Sequence, residues 1–124
     1  MGQDGYVSLW AGNLTSEKEL QEYLTLSYDE EGDALPSLFE KDSGIDTDED
    51  FMESDFLVQG VRSLPLLLEG CSYDEYVIPR FVNLLGEKLN HEVNCLLLIY
   101  NLQYSREDWR AQGKLKFLGS VRYQ

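Results

Sequence analysis

The chain has 124 residues and a mass of 14.3 kDa, with 43% hydrophobic and 12% aromatic side chains. That is too apolar for a disordered tail and enough for one domain that buries roughly two-thirds of its unfolded surface. Acidic residues number 23 against 10 basic ones, for a net charge of −13 and a pI near 4.2, which disfavours a nucleic-acid or anionic-membrane surface and favours a positively charged protein partner.

Residues 5 to 11, GYVSLWA, alternate Val7, Leu9 and Ala11 against Tyr6, Ser8 and Trp10, predicting a strand partly covered on both faces. Ser16 and Glu19 have the SxxE spacing of a capping box, and Leu20, Tyr23 and Leu24 recur at helical spacing to about residue 25. Gly32, Asp33 and Pro36 mark a turn, after which Leu38 and Phe39 lie on a short helix ending near Gly44. The segment IDTDEDFMESDFLVQ reads as a loop running into a short strand or helix, a choice that periodicity leaves open.

Ser63 to Glu69 predicts a short Leu-rich helix closed by Gly70, and Ser72 with Glu75 forms a second SxxE box. The longer helix that follows carries Val77, Phe81, Val82, Leu84 and Leu85 inward, and Pro79 forces it to begin late or to kink. From Asn94 to Tyr104 the run NCLLLIYNLQY is the best central strand, with Leu96, Leu98, Tyr100, Leu102 and Tyr104 on one face and Cys95, Leu97 and Ile99 on the other. The final run, KLKFLGSVRY, alternates Leu115, Phe117, Gly119, Val121 and Tyr123 against Lys116, Leu118, Ser120 and Arg122. These last two strands most simply form an antiparallel hairpin with a long loop. The expected architecture is a single α+β domain over residues 1–124, a mainly antiparallel sheet with helices packed on one face.

No run of about 18 apolar residues is present to cross a bilayer, and MGQDGYVSLW lacks the basic start and long apolar stretch of a secretory signal. Tyr6 stands where a myristoylation signal needs Ser or Thr. A cytoplasmic location is expected. Cys71 and Cys95, without CxxC spacing or companion histidines, are expected to be reduced and buried rather than a disulfide or zinc site.

The charge is unevenly placed. Residues 15 to 55 hold fifteen acids against Lys18 and Lys41, whereas eight acids and eight bases balance over the remainder. Mutual repulsion within that third of the chain costs stability that a neutral surface would not incur. Asp46, Asp48 and Asp50 fit the first three ligand positions of a calcium loop, but Phe51 occupies the place of the obligatory glycine and Leu57 that of the bidentate glutamate. No metal or other cofactor is expected. His91 is a lone histidine in a polar run, and no nucleophile elbow, Walker loop, dinucleotide fingerprint or HExxH helix occurs. An enzyme using the clustered carboxylates as acid and base, or to hold a metal, is the alternative to a binding protein. As a surface, the carboxylates would steer and pair with a basic partner, with affinity concentrated in aromatic anchors drawn from Phe51, Phe56, Tyr73, Tyr76 and Trp109.

Taken in order, GYVSLWAGN at 5 to 13, FEKDSGIDTDEDFMESDF at 39 to 56, EGCSYDEY at 69 to 76, NCLLLIYNLQY at 94 to 104 and KFLGSVRY at 116 to 123 resemble the immunity protein 22 family of bacterial polymorphic toxin systems. The resemblance implies a small cytoplasmic antidote that binds and blocks a cognate toxin and performs no catalysis. It transfers no binding residue position by position, so the expected partner-binding set rests on charge and aromatic placement: Asp46, Asp48, Glu49, Asp50, Glu53, Asp55, Tyr73 and Trp109. The partner would be a protein toxin basic at its active site, such as a nuclease, and the free chain a monomer.

Overall fold

A computed structural model describes residues 5–45, 49–102, 104 and 114–123. Four strands, β1 (Tyr6–Gly12), β4 (Met52–Ser63), β5 (Lys88–Tyr100) and β6 (Leu115–Arg122), form one antiparallel sheet in the order β4-β5-β1-β6. Between β1 and β4 run α1 (Glu17–Leu24), a two-residue hairpin of β2 (Ser27–Tyr28) and β3 (Ala34–Leu35), and α2 (Leu38–Ser43). Between β4 and β5 lie α3 (Leu64–Leu68) and α4 (Asp74–Leu85). The α+β class and the mainly antiparallel sheet are as the sequence predicts.

β5 and β6, however, do not form a hairpin. β1 sits between them, pairing Val7 to Gly12 with Tyr100 to Cys95 on one edge and Tyr6 to Gly12 with Arg122 to Leu115 on the other. The physical reason is burial. Val7, Leu9 and Trp10 are wholly inaccessible, so the β1 backbone cannot turn to water and must find partners along both edges.

Each face of the sheet has its own core. On one, α3 and α4 bury Leu64, Leu67, Leu68, Val77 and Phe81 against Val7, Leu9, Leu96 and Leu98. On the other, α1 and α2 bring Leu20, Tyr23 and Phe39 onto Trp10, Cys95, Leu97 and Ile99. α3 and α4 thus supply the helical layer expected on one face, and the shorter pair adds a second layer opposite. Trp10 centres that layer, with ring centroids of Phe39, Phe117 and Tyr104 at 5.2, 5.2 and 5.4 Å.

Two local irregularities reverse the expected alternation. The pairing of β1 with β6 slips between Leu9↔Gly119 and Trp10↔Phe117, leaving Leu118 as an extra residue. Leu115 and Phe117 therefore join the Trp10 core, whereas Leu118, Val121 and Tyr123 face α4. Asn101, at φ 60°, breaks β5 with a left-handed step, so Tyr100 joins the α3/α4 core while Leu102 and Tyr104 cross to the other. The segment 52–58 is resolved as strand, the first part of β4. That strand is regular from Met52 to Phe56, then advances five residues to Val61 while β5 advances two, from Cys95 to Val93, and Val58 in this excursion is 94% exposed.

The caps explain the helix starts. Ser37 and Glu40 form a complete capping box on α2, which ends at Gly44 with φ 74°. Ser16 Oγ accepts the Glu19 N–H on α1, but the Glu19 carboxylate reaches one residue further back, to the Thr15 N–H at 2.7 Å. Ser63 caps α3, whose second residue is Pro65. The Ser72/Glu75 box does not form: α4 begins after Tyr73, which makes no side-chain cap. The helix continues through Pro79 to Gly86, and because proline has no N–H the carbonyl of Glu75 receives no helical donor from it. Cys71 and Cys95 are free thiols packed in opposite cores.

Candidate functional site

What displaces the second capping box is Glu53. It occupies the second position of β4, opposite Leu98, so its side chain emerges on the α3/α4 face of the sheet beside Tyr100. Ser72 donates to it twice, from the backbone N–H to Oε1 and from Oγ to Oε2, both at 3.0 Å. The Tyr100 hydroxyl donates to Glu53 Oε1 at 2.5 Å, with the Ser72 carbonyl at 2.9 Å on the same hydroxyl. One carboxylate thereby ties the edge strand, the central strand and the link between α3 and α4.

Holding Ser72 in this way leaves Tyr73 to make the turn into α4, and it does so at φ 62°, in the left-handed region that a bulky residue rarely occupies. Its ring lies 4.8 Å from that of Tyr123 and 6.2 Å from that of Tyr100, and the latter two meet edge to face at 5.1 Å. Tyr100 and Tyr123 are buried, but Tyr73 is 51% exposed. The Tyr123 hydroxyl donates to Asn101 Oδ1 at 2.5 Å, so the left-handed step that ends β5 also fixes the far side of the cluster. Between these rings and the start of β4 opens a cleft of about 240 Å³, lined by Asp50, Phe51, Met52, Glu53, Ser72 and the three tyrosines.

The electrostatics follow from burial beside a carboxylate. Desolvation, reinforced by Glu53, drives the Tyr100 hydroxyl well above the ordinary phenol range. Burial, then the Glu53 and Asp74 charges, push the Cys71 thiol up to about 11, and burial alone dominates a similar rise to about 11 at Cys95. Both thiols are therefore protonated at neutral pH and poor nucleophiles.

Of the residues expected to bind a partner, Asp50, Glu53 and Tyr73 converge on this cleft although Tyr73 is twenty residues from Glu53 in the chain. Asp55 lies two residues along β4, on the same face as Glu53, in an adjoining hollow with Glu69 and Cys71. Asp46, Asp48 and Trp109 fall outside the described residues, as does the side chain of Glu49, whose backbone opens a 3-10 turn over Glu49–Phe51. Phe51 and Tyr76 are exposed, while Phe56 packs against the Trp10 core.

Sequence reasoning did not single out Tyr100, Tyr123 or Ser72 as site residues. Two tyrosines at the ends of apolar strands were the available signal, since a phenol there can keep its ring in the core and its hydroxyl on a polar partner.

The acids of residues 15–55 do not share one face. Glu17, Glu19, Glu22, Glu40 and Asp42 sit on α1 and α2, on one side of the sheet, and Glu53 and Asp55 project on the other. Among the described residues Arg62 donates to the Leu89 carbonyl, Arg80 to the Arg122 carbonyl, and Arg122 lies over the Tyr6 ring. Among the described residues the ion pairs are Lys18–Glu22 at 3.9 Å and Lys114–Glu19 at 3.1 Å, and no helix is long and apolar enough to cross a membrane.

Comparison with known proteins found no match among the curated proteins or the solved structures. The family model described as Immunity protein 22 matches residues 7–124, from the first strand to the end of the chain. A match that spans both cores and the tyrosine cleft covers every element described above: the chain belongs to the immunity protein 22 family.

Proposed function

We propose that this protein neutralises a cognate protein toxin by binding it, and that the contact centres on the start of β4 and the tyrosine cleft. Family membership over residues 7–124 carries the immunity role. The placement of the contact is supported by the meeting of Asp50, Glu53 and the half-exposed Tyr73 at one cleft, which joins charge to an aromatic anchor as binding centres do. Asp46, Asp48, Glu49 and Asp55 flank that centre in sequence, and with Trp109 they complete the proposed contact set. Carboxylates at its rim steer a basic partner and raise the encounter rate. A toxin with a basic, phosphate-binding active site, such as a nuclease, has the complementary charge, and an acidic protein surface can occupy such a site in place of nucleic acid. Inhibition of this kind requires no catalysis by the antidote.

The decisive experiment is co-expression with the product of the gene immediately upstream. Rescue of growth and co-purification of the two proteins are expected, and continued toxicity with no complex would refute the reading. Within a complex, replacing Asp48, Asp50 and Asp55 by asparagine should slow association and flatten its dependence on salt. An unchanged on-rate and salt slope would move the contact elsewhere on the molecule.

A further inference from the structure

We propose that the tyrosine cleft is a seat for one arginine side chain of the bound toxin, with the guanidinium stacked on Tyr73 and forked towards the carboxylate of Glu53. The inference rests on the neutralisation reading above and gives its contact a specific chemistry.

Glu53 stands half-buried on the wall of the cleft. Its three bonds all come from neutral donors: the Ser72 N–H and the Tyr100 hydroxyl on Oε1, and the Ser72 hydroxyl on Oε2. A carboxylate offers about four acceptor sites, so Oε1 is filled and Oε2 keeps room for one more donor. Neither ion pair among the described residues involves Glu53, and its negative charge is therefore held in a partly buried place with no described cation against it. The upward shifts of the Tyr100 hydroxyl and the Cys71 thiol, both partly due to Glu53, show that its field is felt by its neighbours.

A cation is thus the missing partner, and the walls select which one. Tyr73 leaves about half of its surface open, and Phe51, 44% exposed, stands on the same cleft. Aromatic faces attract cations, and a planar guanidinium can lie flat on a ring while its edge donates to a carboxylate. An ammonium ion has no such plane, and anions are refused by Asp50 and Glu53. The molecule already sets cations on tyrosine rings, the Arg122 guanidinium 5.2 Å from the centre of the Tyr6 ring and the Lys114 ammonium 6.0 Å from that of Tyr23. At about 240 Å³ the cleft has room for a side-chain head group and falls below the roughly 300–1,000 Å³ of pockets that take a whole small-molecule ligand.

The test is a titration of the free full-length protein, followed through the tyrosine ring resonances, with capped Gly-Arg-Gly, Gly-Lys-Gly and Gly-citrulline-Gly. Citrulline keeps the shape of arginine and removes its charge. Saturable shifts at Tyr73 and Tyr123 are expected with the arginine peptide, with affinity several-fold weaker for lysine and no saturable response to citrulline. Glu53→Gln and Tyr73→Asn, each checked for a native circular-dichroism spectrum, should weaken the arginine response at least tenfold. Should either variant fail to fold, Phe51→Ala, which removes a wall and no internal hydrogen bond, serves in its place with the same expectation. The proposal is overturned by an equal response to citrulline, by variants that bind as wild type does, or by no response up to about 50 mM, since single-side-chain ligands bind in the millimolar range. Loss of the peptide response in a protein that still rescues cells would remove the seat and leave neutralisation standing. Arginine binding by a protein that protects cells from no upstream product would do the reverse, and the seat's assignment to a toxin would fall.

Discussion

Tyr73 shows how one residue can serve packing and exposure at once. A left-handed conformation costs an L-residue about 1–2 kcal/mol, and the ring contacts with Tyr123 and Tyr100 return about 0.5–1.5 kcal/mol each. Tyr73→Asn, which suits that backbone, should accordingly stay within about 1 kcal/mol of wild-type stability in urea unfolding. Its affinity for the toxin should fall at least tenfold, a split that a purely structural tyrosine would not produce. Glu19 makes a different demand. Bonds from Thr15 first, and then the Lys114 ammonium, hold its carboxyl down at about 2 from a usual 4.5. A depressed carboxylate supplies stability that is whole above its unfolded value and disappears as pH falls through its folded one. Acid unfolding of Glu19→Gln should therefore be less steep than wild type between pH 4.5 and about 2, as read by circular dichroism. Equal acid slopes would show that the bonds to Thr15 and Lys114 are not formed in solution.

At the scale of elements, much of the architecture is legible because helices and strands write their period into the chain. Leu20 and Tyr23 predict α1, the leucines after Ser63 predict α3, and NCLLLIY predicts the buried strand at the centre of the sheet. The illegible features are those that depend on distant residues. Strand order is not a local property, so the insertion of β1 between β5 and β6 could not be seen in either strand's pattern. One extra residue at Leu118 and one left-handed residue at Asn101 each reverse a face that alternation assigns correctly up to that point. Ser72 looks like a cap and is instead claimed by Glu53, nineteen residues away. For the same reason the sequence supplied Asp50, Glu53 and Tyr73 as separate candidates but not the buried tyrosines that join them.

Two substitutions test this level. An added Cβ at Gly12 would stand 2.7 Å from the Lys114 carbonyl oxygen and 3.1 Å from the Leu115 side chain, so Gly12→Ala should cost about 1–3 kcal/mol by forcing β1 and β6 apart. Ser37→Ala, which removes half of the α2 capping box, should cost about 1 kcal/mol. Denaturant midpoints read both, and a neutral Gly12→Ala would contradict the close approach of β6.

For the whole molecule, the net charge of −13 acts on folding as well as on encounter. Repulsion among the acids of α1, α2 and the start of β4, which are exposed or half-buried, should be relieved by screening. The melting temperature is therefore expected to rise between low and moderate sodium chloride, where ion pairs as exposed as Lys18–Glu22 contribute little to lose. A melting temperature independent of salt would show that the acids are far enough apart to ignore one another. The division of those acids between the two sides of the sheet also sets what a partner can touch. On the proposed contact, a toxin at the tyrosine cleft would meet Asp50, Glu53 and Asp55, whereas the charges on α1 and α2 would act on it only through their longer-range field.

The five-against-two step after Phe56 has a consequence for how other chains can meet this one. A straight outer strand offers its free N–H and C=O groups as a template on which foreign or sister chains polymerise. β4 withdraws that template at its midpoint, because the residues around Val58 leave the ladder and stand proud of it. Recruitment along this border must then proceed through side chains, which discriminate between partners, rather than through amide groups, which do not. Excising residues 57–59 to straighten the strand should produce a protein that assembles with itself, visible as growth in light scattering on standing.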